Sequence, residues 1–85
     1  MAMEPGEYCV YFSFNVPVNE GSSFGNTTFV YTIKKRMSRL ELTETIRKKC
    51  GELIREMMQE TGSIHLVRPD IRLSGCVGAL TIEPN

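Results

Sequence analysis

The stretch Tyr8-Cys9-Val10-Tyr11-Phe12-Ser13-Phe14-Asn15-Val16-Pro17-Val18 decides the fold. Tyr8, Val10, Phe12, Phe14, Val16 and Val18 occupy every second position, with Cys9, Tyr11, Ser13, Asn15 and Pro17 between them. Successive side chains of an extended chain point to opposite faces, so one row enters a core and the other meets solvent. The alternation predicts a half-buried strand. Pro17 has no N–H to give to a ladder, which predicts that this end lies at a sheet edge or leaves the sheet.

Downstream, residues 27–37 repeat the pattern. Phe29, Tyr31, Ile33 and Met37 face one way; Thr28, Val30, Thr32, Lys34 and Arg36 face the other. The β-branched and aromatic content supports a second strand. Residues 19–26 then read as a long hairpin loop, with Gly25 and Asn26 supplying positive φ at little cost. Within Gly21-Ser22-Ser23-Phe24-Gly25-Asn26, one large aromatic stands among turn residues. The ring of Phe24 is expected to fold back onto the sheet near Phe14 or Phe29. Left exposed, it becomes the first candidate for a partner contact.

Ser38-Arg39-Leu40-Glu41 fits a capping box, and Met37 with Leu42 occupies the positions of a hydrophobic staple. Together they predict a helix over 38–61, ended by Gly62 as a left-handed cap. On a helical wheel Leu42, Ile46, Cys50, Leu53 and Met57 form a core stripe, opposite Glu44, Lys48, Glu52, Arg55, Glu56 and Gln59. Gly51 interrupts the helix at a cost of about 1 kcal/mol relative to alanine. It lies beside Leu40, Ile54 and Met58, a second apolar strip that another part of the fold, a second copy or a different protein would cover. The candidate partner contacts are therefore Phe24, Leu40, Gly51, Ile54 and Met58.

Past the helix, residues 64–67 read as a short third strand ended by Pro69. Residues 71–73 read as a brief extended piece, 74–78 as a loop and 79–83 as a final strand stopped by Pro84. Residues 1–6 read as a tail. The expectation is one domain over 1–85, with a hairpin at 8–37, the helix at 38–61 and C-terminal strands within 64–83. Its class is α+β: a two-layer β-β-α-β(β) arrangement, in which an antiparallel sheet of three to four strands packs on one amphipathic helix.

At 85 residues, 41% hydrophobic and 24% charged, the chain has an ordinary globular composition. Ten basic residues balance ten acidic ones, which argues against strong overall attraction to nucleic acid or anionic membrane. Cys9, Cys50 and Cys76 are an odd, widely spaced set with no CxxC, so neither a disulfide framework nor a zinc site is expected. With no signal peptide and no membrane-length apolar run, the expected location is the cytoplasm, that of a host included. A hydrolytic triad lacks its parts, since His65 is the only histidine and Asp70 the only aspartate, beside the candidate nucleophiles Ser63 and Cys76. Gly21 and Gly25 join strand to strand and lack the Gly-Lys-Ser/Thr of a phosphate loop. No catalytic residue, metal or cofactor is expected, and the chain reads as non-enzymatic.

Charge is unevenly placed: seven basic residues and two acidic ones lie between Lys34 and Lys49. Lys34, Lys35, Arg36 and Arg39 flank the helix start, where free N–H groups favour an anion, and Lys48 and Lys49 follow. These six could grip a phosphate backbone, which makes nucleic acid the alternative partner. A solvated mixed-charge surface is the competing reading, since Glu41 and Glu44 sit among them.

Tyr11-Phe12-Ser13-Phe14, Gly21-Ser22-Ser23-Phe24-Gly25-Asn26-Thr27 and Thr45-Ile46-Arg47 together resemble small phage and prophage proteins with a strand, a Ser-x-Phe-Gly-Asn turn, a strand, a helix and a closing strand. The resemblance covers residues 8–47, and residues 68–85 depart from it. It implies a phage-type accessory protein that binds a host protein, including inhibition of a bacterial defence system in the manner of anti-CRISPR proteins. It carries over no catalytic residue.

Overall fold

A computed structural model describes residues 2–85. The chain is α+β, with strands β1 (Ala2–Met3), β2 (Gly6–Val18), β3 (Gly21–Ile33), β4 (Met37–Ser38) and β5 (Val77–Pro84) around one helix, α1 (Arg39–Glu60). A three-stranded antiparallel sheet runs in the order β3-β2-β5, and β1 pairs with β4 beside it. Thirteen residues in each of β2 and β3 make a hairpin about 44 Å long by strand rise, which sets the 42 Å long axis of the molecule.

The even-numbered row of β2 forms the core as the alternation predicts. Tyr8, Val10, Phe12, Phe14 and Val16 are buried against Leu42, Ile46, Cys50, Ile54 and Met58 of α1. Phe12 lies at the centre, its ring 6.2 Å from that of Phe14 and 6.1 Å, edge-on, from that of Phe29. Such tilted and edge-on pairs suit the aromatic quadrupole.

The predicted loop at 19–26 does not exist. Asn19 and Glu20 alone make the turn, and Gly21–Ile33 pairs with β2 in one unbroken register from Val18 opposite Gly21 to Gly6 opposite Ile33. The reason is non-local. On its other side β2 has β5 only as far as Phe14 opposite Val77, so among the described residues β3 is the one strand beside residues 15–18. Pro17 falls within that singly flanked end, where its missing N–H is tolerated. The positive φ sits at Gly21 (φ 107°), not at Gly25 or Asn26. Gly25 has a different role: a Cβ there would stand 3.0 Å from Cζ of Phe14, so its bare backbone makes room for that ring.

Ser38 caps α1 by accepting the Glu41 N–H at 3.1 Å. At the other end Gly62 (φ 74°) and Ser63 donate to the carbonyls of Gln59 and Met58, a Schellman closure. The buried stripe, however, runs through Leu42, Ile46, Cys50, Gly51, Ile54 and Met58, leaving Leu53 and Met57 half-buried. A four-residue step overshoots a helical turn by about 40°, so this stripe rotates along the helix. The chain follows it with a 3₁₀ turn, Leu73–Cys76, that lies on the second strip.

Residues 64–67 are likewise not a strand. Ile64–Leu66 forms a 3₁₀ turn closed by Leu66 N–H to Ser63 and Val67 N–H to Ile64. The third place in the sheet goes to β5 instead. Opposite Ser13 the β5 ladder is irregular, and the Ser13 hydroxyl accepts the Ala79 N–H at 2.9 Å. Of the predicted tail, Met1 lies outside the described residues, and residues 2–6 are not a free tail. Met3 is buried, β1 pairs with β4, and the Tyr8 hydroxyl donates to the Glu4 carbonyl at 2.6 Å.

Candidate functional site

The three-stranded sheet has its helix on one face only. The outward row of β2 is Glu7, Cys9, Tyr11, Ser13, Asn15 and Pro17, and its partners on β3 are Thr32, Val30, Thr28, Asn26, Phe24 and Ser22. On β5, Glu83 stands beside Cys9 and Thr81 beside Tyr11. Phe24 is 78% exposed, Val30 53% and Tyr11 41%. None of the ten cationic side chains of the sequence belongs to these rows, and Glu7 and Glu83, at one end of the face, are the carboxylates among the residues named. The result is an open face of aromatic, β-branched, hydroxyl and amide groups, with the three exposed apolar side chains on adjacent strands. The expectation that Phe24 folds back onto Phe14 or Phe29 is overturned. Those rings lie on the inward rows, and Phe24 is on the outward one.

The other proposed contacts do not join it. Ile54 and Met58 are buried, and Gly51 is covered by the chain itself: a Cβ there would stand 2.9 Å from the Ser74 nitrogen and 3.1 Å from its Cα. They are core, not a docking strip. Leu40 is 70% exposed but sits in the first turn of α1, in the layer opposite Phe24.

The cations fall into two groups. Lys34, Lys35 and Arg36 follow β3, and Arg39 opens α1; Lys48 and Lys49 lie along the helix. Arg36 pairs with Glu4 at 3.2 Å and Lys49 with Glu52 at 3.7 Å, both exposed and so worth little. Arg39 Nη1 points to Met3 Sδ at 3.9 Å. Ser38 and the first-turn Glu41 already serve the helix N-terminus, which weakens it as an anion site.

No catalytic arrangement forms around the residues considered for one. His65 is exposed in its 3₁₀ turn, Asp70 pairs with Arg68 at 3.6 Å, and the Ser63 and Thr61 hydroxyls meet at 3.1 Å. Among the described residues no three metal-ligating side chains cluster, and no helix is long and apolar enough to cross a membrane. Burial pushes the Cys76 thiol up, and its Sγ lies 3.7 Å from the Arg72 carbonyl. Cys50 is fully buried, and burial pushes its thiol up to about 11 against the opposing charge of Arg47. Both thiols are therefore held in the poorly nucleophilic protonated form.

Cys50 makes stability depend on alkaline pH. Up to its ordinary value of 9.0 the thiol is protonated in both states; between there and about 11 the unfolded chain ionises while the folded one does not. The unfolded state then binds fewer protons, so stability falls with rising pH, by on the order of 2 kcal/mol across the window. Urea unfolding from about pH 8 to pH 11 is expected to show a steeper fall in the native chain than in Cys50→Ala. Equal slopes would contradict that origin.

No family model, curated protein or solved structure matches the chain.

Proposed function

We propose that this chain is a non-enzymatic binding module that acts by protein–protein contact through the outward face of its sheet. The observation that carries the reading is the exposure of Phe24, Val30 and Tyr11 together on that face. Aromatic anchors amid small hydroxyl and amide groups suit a protein surface: they supply apolar area at low entropic cost and leave the hydrogen bonding adaptable. The resemblance to phage and prophage proteins supports placing the partner in a bacterial host, with inhibition of a host or defence protein as the outcome.

Nucleic acid is the second reading, and Lys34, Lys35 and Lys48, which form no ion pair within 4.0 Å among the described residues, favour it. It requires that binding weaken steeply with salt.

Tyr11→Glu separates the two. The side chain is already 41% exposed, so the fold is expected to survive the change. Capture from host lysate by the immobilised native chain, set against the variant, is expected to show a protein retained by the first and lost at least tenfold by the second. Equal capture by both would overturn the sheet-face reading. A gel shift at low salt, abolished by Lys34→Glu/Lys35→Glu, would replace it with the nucleic-acid reading.

A further inference from the structure

The two edges of the sheet are built differently. β5 is short, ends in Glu83-Pro84 and is irregular opposite Ser13. Shortness, charge, proline and irregularity are the usual means by which an edge avoids pairing with another chain. β3 has none of them. It runs for thirteen residues with no charge and no proline, and its register is unbroken. In an antiparallel ladder every second residue turns its N–H and C=O away from the paired neighbour, so β3 presents a long row of unpaired backbone groups. It also overhangs its helix. Phe29 and Tyr31, on the inward row, stay half-buried while the inward row of β2 is buried, and a groove lined by Tyr31, Thr45, Lys48, Lys49 and Glu52 opens under the edge.

We propose that β3 pairs antiparallel with β3 of a second copy about a two-fold axis at Thr27, so that two three-stranded sheets become one continuous sheet. Pairing at this edge leaves the outward face of the sheet open, so it adds to the contact reading of that face and does not replace its partner. What selects a second copy is the sequence of β3 read against itself. Folded about Thr27, it sets Phe24 opposite Val30 of the second copy, and Val30 opposite the second Phe24. The two exposed apolar residues of the strand thus meet twice on the outward face, as an aromatic against a β-branched side chain. On the inward face the same register sets Phe29 opposite Gly25 and Tyr31 opposite Ser23, large against small. One residue beyond the strand, Glu20 comes opposite Lys34, so opposite charges close both ends.

Neighbouring registers lose these matches. A one-residue slip pairs inward residues with outward ones. A two-residue slip sets Phe24 against Thr28 or Thr32 and leaves Val30 against Ser22 or Asn26. A strip about 44 Å long and roughly 10 Å deep on each copy buries on the order of 900 Å² in total, near the floor for a specific interface. The dimer is therefore expected to be concentration-dependent.

Sedimentation equilibrium of the full chain, up to about 0.5 mM, tests this. The expected mass rises toward twice 9.6 kDa. Phe24→Glu/Val30→Glu, which sets like charges opposite each other twice, is expected to remain monomeric with unchanged far-UV circular dichroism. Phe24→Glu/Val30→Lys, which sets unlike charges there, is expected to restore the dimer. A native chain at 9.6 kDa throughout, or a native dimer that survives the double glutamate change, would overturn the proposal. Tyr11 lies on β2, outside the paired edge. A monomeric result therefore sinks self-pairing alone, while indifference of lysate capture to Tyr11→Glu sinks the wider contact reading.

Discussion

Gly51→Leu is expected to destabilise the fold by about 3 kcal/mol, the upper end of the usual cost of overpacking and a large part of the roughly 5–10 kcal/mol available to a chain of this size. Already at Cβ the new side chain meets backbone: the Ser74 nitrogen at 2.9 Å and its Cα at 3.1 Å. Backbone cannot rotate aside as a side-chain tip can, so the Leu73–Cys76 turn must lift. Leu73, which is buried, would leave the core with it, and the cover over Ile54 would open. Better helix propensity offsets at most about 1 kcal/mol of this. Urea unfolding of the native and variant chains measures the difference. An unchanged midpoint would mean that the segment after the helix is not seated on Gly51.

Phe12→Ala is expected to cost about 3–5 kcal/mol, the range for a buried phenylalanine truncated in a core. Phe12 is fully buried and its ring meets both Phe14 and Phe29, so its loss loosens the row that seats Phe14 against Gly25 and the row that fixes the inward face of β3. Phe12→Leu, which keeps most of the volume, is expected to lose about half as much. Thermal unfolding checks the order native, leucine, alanine; an alanine variant as stable as native would place the core elsewhere.

The helix and its ends were legible because their signals are local. Ser38 with Glu41 at the start, and Gly62 at the end, act within one turn. The rows of β2 were legible because the alternation is long. What was not legible depends on distant partners. Glycine and serine residues at 21–25 carry little strand preference, and they join the ladder opposite residues 15–18 of β2, which have no other strand beside them among the described residues. The strip of Gly51, Ile54 and Met58 was legible on the helical wheel, but not what covers it, because the covering segment follows some twenty residues later and leaves no mark within the helix. The short apolar run at 64–67 suits strand or 3₁₀ turn equally. Around Phe24, the sequence showed an aromatic out of place among turn residues but neither its exposure nor its surroundings: they are Asn15 across the ladder and the open sheet face, and Leu40 lies in the other layer.

Both the contact face and the self-pairing require residues 21–33 to be an open edge strand. Amide hydrogen exchange followed by NMR addresses this directly. At low concentration alternate amides of β3, those directed at β2, are expected to be protected from Gly21 onward, with the intervening ones exchanging freely. As concentration rises, the intervening amides are expected to gain protection. Uniformly fast exchange over 21–26 would restore the loop and contradict the account.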